Sequence, residues 1–335
     1  MNENSTRKGY QLSSSPHISA KNSCSRIMLL VIAALLPVTA WAIWNMGMVA
    51  VGLLVACIGS TVGTEALWNI VAKRSQTISD GSALLTGLLL ALALPPHTPL
   101  WVAVAGGIVS IGLGKMIFGG LGWNLFNPAL VGRAFIAISW AGVLSEQPVP
   151  GGWFRGIDLP APEGLDAITG ATRLAIAATD RAAEGAYGFD LQAQYLPLLF
   201  LNLEGSLGEI SGALLLLGGL MLIALKIIDW RIPLGYLGTV GALSWLFGID
   251  PIFTILAGGI MLGAFFMATD YVTSPMTKTG RFIFGCGCGL INIVARTFGP
   301  GPEATTFAIL FMNGLVPLID KVTAPRVFGW RKSDG

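Results

Sequence analysis

Apolar runs near 27–45, 47–71, 82–95, 98–118, 128–145, 206–228, 232–247, 251–268, 281–297 and 303–320 dominate this 335-residue chain. A helix needs about 20 such residues to cross a bilayer. Lipid offers a backbone no hydrogen-bond partner, so runs of this kind form helices that satisfy their own N–H and C=O groups. The expected fold class is therefore an all-α integral membrane protein of about ten transmembrane helices. The runs at 82–95 and 232–247 are short and contain glycine, as broken helices packed inside a membrane protein do. Composition agrees. Hydrophobic residues make up 53% of the chain and charged residues 11%, with a mean hydropathy of +0.71, outside the range of soluble domains. The net charge of +2 carries little information, because in a membrane protein the place of a charge matters more than the sum. Nothing suggests nucleic acid.

Five segments follow from this pattern: 1–26, polar; 27–145, a first helix bundle; 146–205, a hydrophilic loop; 206–320, a second bundle; and 321–335, a tail. The apolar run after residue 26 is too long for a signal-peptide core, so the polar start is expected to remain in place. Arg7, Lys8, Lys21, Arg26, Lys73, Arg74, Lys115, Lys226, Arg231, Lys278, Arg281, Lys321, Arg326, Arg331 and Lys332 fall on one side of this topology. By the positive-inside rule that side, and with it both termini, is expected to be cytoplasmic. Arg155, Arg173, Arg181 and Arg296 fall on the other side. There the acids of the loop, including Glu146, Asp158, Glu163 and Asp166, outnumber its cations, which marks an exported, periplasmic segment.

Ala105-Gly106-Gly107-Ile108 recurs as Ala257-Gly258-Gly259-Ile260, and downstream of the two copies come Asn127-Pro128 with Arg133 and Ser274-Pro275 with Arg281. With an odd number of spans per half the copies run in opposite senses, as in inverted-repeat membrane folds, and a site is expected at the seam. The same tetrapeptide also serves as a close-packing motif between membrane helices.

Several residues offer chemistry. Asn124 and Asn127 lie at membrane depth before Arg133; both suit a cap at the helix start, the reading that chemistry alone favours, and an amide, which donates and accepts, also matches the polar edge of a ligand. Asp80-Gly81-Ser82 opens the third run as a cap beside small residues, where an anion, a ligand edge or an ion can also be received. Glu65 lies within an apolar run, as an ion-path residue would, or as the partner of Arg133 or another internal cation. Glu209, Asp250 and Asp270 lie near span ends. Cys24, Cys57, Cys286 and Cys288 contain no C-x-x-C pair and read as packing residues, and His17 and His97 are too few for a haem or histidine metal site. No dinucleotide fingerprint or P-loop is present. A nucleotide cofactor of this kind is therefore not expected on this chain.

The loop holds the most specific motif, Asp166-Ala167-Ile168-Thr169-Gly170-Ala171-Thr172 followed by Arg173. Thr172 presents a hydroxyl beside small residues. A phosphate esterified there would sit at the N-terminus of the helix expected over 174–178, near Arg173. The heptapeptide resembles the flavinylation motif of the RnfD/NqrB family. Asn124-x-Phe126-Asn127-Pro128-Ala129, Asp80-Gly81-Ser82-Ala83-x-x-Thr86-Gly87 and Ser15-Pro16-His17 resemble that family's other motifs, so the likeness covers most of the chain.

That resemblance implies FMN joined to Thr172 through a phosphoester by a flavin transferase, and a second, non-covalent flavin, riboflavin, in the membrane domain near Asn124 and Asn127. It implies a subunit of a bacterial inner-membrane complex that couples electron transfer between ferredoxin and NAD to movement of Na⁺ or H⁺. Its expected partners are an outer-face flavoprotein subunit, iron–sulfur and NADH-handling subunits, and membrane lipid. The B subunit of the Na⁺-translocating NADH:quinone reductase shares these motifs. An inverted-repeat solute channel or a structural scaffold would fit the helices without any flavin.

Overall fold

A computed structural model of the protein describes residues 23–142, 191–201, 205–298 and 303–325. The heptapeptide, Thr172 and Arg173 lie outside these residues. Among the described residues every regular element is helical.

The Ser23 hydroxyl accepts from Arg26 N at 3.2 Å and starts α1, Cys24–Met46. Gly47, at φ 62°, turns the chain directly into α2, Met48–Val71. Next come α3, Ser82–Ala93, and α4, Leu100–Ile111, which runs on through a π-helical turn at Gly112–Met116. After a glycine-rich turn, α5 spans Pro128–Ser139. Pro128 stands at its first turn, where a missing N–H costs nothing.

The second half contains α6, Leu191–Phe200; a 3₁₀ turn, Leu207–Ile210; α7, Gly212–Ala224; and α8, Arg231–Leu246. It continues with α9, Pro251–Leu256; α10, Ile260–Leu262, leading into a second π turn at Gly263–Met267; α11, Lys278–Phe298; and α12, Ala304–Thr323. The helices α1, α2, α11 and α12 are long and apolar enough to cross a membrane, and α3, α4 with its π turn, α5 and α7 are shorter apolar helices. Val55, Leu67 and Ile138 stay 67%, 62% and 73% exposed, an outward face suited to lipid rather than water.

Two expectations need correction. The run 232–247 is not broken; it forms α8 without interruption. The break falls in 251–268, where Gly258 and Gly259 adopt φ 72° and 67° and separate α9 from α10. Only glycine enters that left-handed region without steric cost. In addition, the stretch 146–205 contains a helix, α6, whose Tyr195 and Leu198 pack on Phe253, Leu256 and Ala257.

Small residues let the helices approach closely. A Cβ on Gly107 would come within 1.9 Å of Ser60 Oγ on α2, and one on Gly106 within 2.3 Å of Ile136 Cδ1 on α5. The first Ala-Gly-Gly-Ile copy thus acts as a packing face inside α4, whereas the second ends a helix. On α11, Gly285 and Gly289 face the backbone of α8, where added Cβ atoms would stand 2.4 Å from Ile232 O and 2.7 Å from Tyr236 O. Cys57 and Cys288 are buried in the main core cluster.

Candidate functional site

The π turn after α4 decides where the first half places its charge. It carries Lys115 inward, to 2% exposure, instead of onto the membrane boundary where the positive-inside pattern had put it. Lys115 Nζ donates to Glu65 Oε2 at 2.7 Å and to Ser82 Oγ at 2.6 Å. Glu65, fully buried on α2, accepts at Oε1 from the Thr77 hydroxyl, which in turn accepts from Asn69 Nδ2 at 3.0 Å. Ser82 donates from N and Oγ to Asp80 Oδ1, at 2.7 and 2.5 Å. A buried charge needs an opposite charge and hydrogen bonds to persist in low dielectric, and this network supplies both. The internal cation beside Glu65 is Lys115. Arg133 instead pairs with Glu303 at 2.5 Å, joining α5 to the start of α12.

Lys115 and Ser82 open onto a cleft between the two halves. The first half contributes Ser82, Thr86, Lys115, Asn124 and Asn127. The second contributes Phe265 and Phe266 from its π turn, followed by Thr269, Asp270 and Tyr271. Ile27, Met28 and Val31 of α1 complete the wall, and the cleft holds about 710 Å³ of atom-free space, counting its open mouth. π-helical turns are frequent at functional sites because the extra residue re-aims a side chain; here one such turn on each side faces the cleft.

The two asparagines differ. Asn127 Oδ1 caps α5, accepting from Ala129 N at 3.0 Å and Leu130 N at 3.4 Å, while Nδ2 donates across the seam to Met267 O at 3.1 Å. It is both the expected cap and a clamp between the halves. Asn124 Nδ2 donates to Phe126 O at 3.2 Å, but its Oδ1 is buried without a partner in the protein. An orphaned buried acceptor lining a cleft is what a ligand N–H or O–H would satisfy. The donor and acceptor set therefore fits a flavin: an amide acceptor, an ammonium and apolar walls.

The remaining acids of the apolar runs have structural partners. Asp250 caps α9 through Phe253 N at 2.7 Å and receives Tyr195 OH at 2.6 Å. Asp270 accepts from Thr273 Oγ1 at 3.1 Å. Glu209 Oε1 accepts from Ser206 Oγ at 2.8 Å. Arg296, expected on an exported boundary, lies inside: its guanidinium donates to Thr254 O at 3.2 Å, Ala257 O at 3.0 Å and Gly258 O, tying off carbonyls released by the break between α9 and α10. Among the described residues, no group of three or more His, Cys, Asp or Glu side chains is arranged to hold a metal ion.

Sequence reasoning singled out Glu65, Asn124 and Asn127, and the structure places the two asparagines at one cleft with Glu65 behind it. It missed the role of Lys115, although a lysine near the end of an apolar run was itself a signal, since an intramembrane cation is costly.

The NQR2, RnfD, RnfE family profile matches residues 11–329. The D subunit of the ion-translocating oxidoreductase complex of Stutzerimonas stutzeri is 43% identical, covering 92% of this chain and 93% of its own. The D subunit of the Na⁺-translocating ferredoxin:NAD⁺ oxidoreductase complex of Acetobacterium woodii is 42% identical, with 96% of each chain covered. The D subunit of the proton-translocating ferredoxin:NAD⁺ oxidoreductase complex of Clostridium ljungdahlii is 41% identical, covering 96% of this chain and 97% of its own. On this match over nearly its whole length, the chain belongs to the NQR2, RnfD, RnfE family.

Proposed function

We propose that the chain is the flavin-carrying membrane subunit of an ion-translocating oxidoreductase complex, relaying electrons across the membrane in step with movement of Na⁺ or H⁺. The reaction class comes from the relatives' names. The observation that carries the flavin reading is the cleft between the halves, where Asn124 Oδ1 is buried and unpartnered and Lys115 lines the same space.

In this reading FMN is esterified to Thr172 and riboflavin occupies the cleft. A bound flavin supplies one- and two-electron carriage. The chain's own residues do the rest. Asn124 offers its acceptor, and Asn127, fixed by its cap and by Met267, holds the two walls in register. Lys115, its charge matched by Glu65 and two of its N–H groups used, has a third N–H to offer the cleft, while Leu85, Leu89, Phe265 and Phe266 keep water out. Asp166, Thr169, Gly170 and Ala171 form the sequence a flavin transferase reads, and Arg173 offsets the phosphate. Glu65 is compensated while Lys115 holds it, so it joins an ion path only when that lysine turns away.

About ten spans in two inverted repeats would put both termini in the cytoplasm and 146–205 in the periplasm of a bacterial inner membrane. An outer-face flavoprotein subunit and iron–sulfur and NADH-handling subunits would complete the complex.

The test is mass spectrometry and flavin extraction on the chain purified from a host with a flavin transferase. An FMN adduct on the Thr172 peptide, lost in Thr172→Ala, together with extractable riboflavin is the expected result. An unmodified Thr172 and no extractable flavin would bring the channel and scaffold readings forward.

A further inference from the structure

A second cavity opens where α7 ends and α8 and α11 begin, with about 1060 Å³ of atom-free space counting its mouth. Four cations line it, Lys226, Arg231, Lys278 and Arg281, against one carboxylate, Asp229. Asp229 serves the two arginines: Arg281 Nη1 donates to Oδ2 at 2.9 Å, and Arg231 Nη1 lies 3.2 Å from both carboxylate oxygens. Lys226 and Lys278 are exposed and have no ion pair among the described residues. Lys226 adopts φ 56° at the end of α7, a left-handed position where glycine is the usual residue. The chain keeps a lysine there, at a backbone cost, with its ammonium on the cavity.

The apolar lining that reaches the surface is Ile223, Trp230 and Tyr271, with the buried Ile227, Ile228 and Ile232 behind it. Trp230 sits at the rim, half exposed, with the Arg231 guanidinium 4.9 Å from its ring centroid. An exposed tryptophan beside cations marks the level of lipid headgroups. A soluble anion has no use for this apolar surface, whereas a phospholipid offers phosphate to the lysines and acyl chain to Ile223, Trp230 and Tyr271. Basic pockets between membrane helices on the cytoplasmic side recognise anionic headgroups in this way.

We infer that this cavity is a binding site for an anionic phospholipid, with Lys226 and Lys278 contacting the phosphate and Ile223, Trp230 and Tyr271 receiving the adjoining chain. This is independent of the flavin reading.

The test uses the full-length chain in detergent micelles, titrated with phosphatidylglycerol, phosphatidylcholine of the same chains, and inorganic phosphate, with native mass spectrometry reading occupancy. The wild type is compared with Lys226→Gln/Lys278→Gln and with Lys73→Gln, another exposed lysine at positive φ but outside this cavity. Phosphatidylglycerol binds saturably, and the double variant weakens it roughly 30-fold, from about fivefold per charge. Lys73→Gln changes nothing, and phosphatidylcholine and phosphate alone bind weakly. Equal binding of the two lipids, or no loss in the double variant, overturns the proposal. Phosphate alone binding as tightly as phosphatidylglycerol would assign the site to a soluble anion instead. Shielding of the two lysines by a partner subunit in the assembled complex, unchanged after lipid removal, would make it a protein interface.

Discussion

Breaking the Glu65/Lys115 pair from one side should be far more damaging than replacing it from both. The two groups are 0% and 2% exposed and 2.7 Å apart, with Ser82 and Thr77 as the supporting hydrogen bonds. Lys115→Met strands a carboxylate and Glu65→Gln strands an ammonium, each in low dielectric. Removing one partner of a buried pair costs about 3–5 kcal/mol, whereas substituting both with groups of similar volume is often close to neutral. The α2/α4 contact at Gly107 and Ser60 persists in all three variants, so the helices remain docked. Reversible unfolding in mixed micelles, followed by circular dichroism, gives the three free energies and their double-mutant cycle. The expected result is two single losses of about 3–5 kcal/mol, a double variant within about 1–2 kcal/mol of wild type, and a coupling of about 4 kcal/mol or more. Additive effects, or singles below about 1 kcal/mol, would show that water reaches the pair and that the buried-pair reasoning is wrong.

Asn124→Leu replaces the orphaned acceptor with an apolar group of similar size and should lower non-covalent flavin occupancy about tenfold or more, read by extraction, while unfolding stability stays near wild type. Asn127→Ala removes both the α5 cap and the bond to Met267 O, so stability should fall by about 1–2 kcal/mol. Gly259→Ala places a side chain at φ 67° with Glu209 Oε1 3.2 Å away; a loss of about 1–2 kcal/mol is expected, against a gain of about 0.5–1 kcal/mol for Gly59→Ala, which lies mid-helix in α2 and meets nothing within 4 Å. Asp229 supplies the pH dependence. Burial opposes its ionisation, but the hydrogen bond from Arg231 N and the Arg281 and Arg231 guanidinia outweigh this and hold the carboxyl below its ordinary range. A lowered folded value means its contribution is present above the ordinary carboxyl range and lost as pH falls through the lower folded value. Acid titration of stability should show that loss below about pH 4, and Asp229→Asn should remove it.

Some of the site was legible because single residues were costly in context. A glutamate in an apolar run needs a reason wherever it lies, so Glu65 stood out. Asn127 before Pro128 reads as a cap from local rules alone, and it caps α5. Long-range partners could not be read in the same way. Lys115 is 50 residues from Glu65 and sits where a topogenic lysine belongs, and only the π turn reveals that it faces inward. The Met267 carbonyl is 140 residues from Asn127. Arg296 also looked like a boundary charge until the break at Gly258 and Gly259 exposed the carbonyls it binds.

A helical, membrane-embedded chain follows from the order of residues alone, since hydropathy and the need to satisfy backbone groups in lipid act locally and leave no other solution. The motifs also placed the chain in its family without any coordinates. What identical words do depends instead on the packed fold. Ala-Gly-Gly-Ile is continuous helix at 105–108, because α2 and α5 press against both glycines, and a helix break at 257–260, because the carbonyls freed there meet the Arg296 guanidinium. Glycine permits either backbone. The surroundings choose between them, and those come from residues far away in the chain.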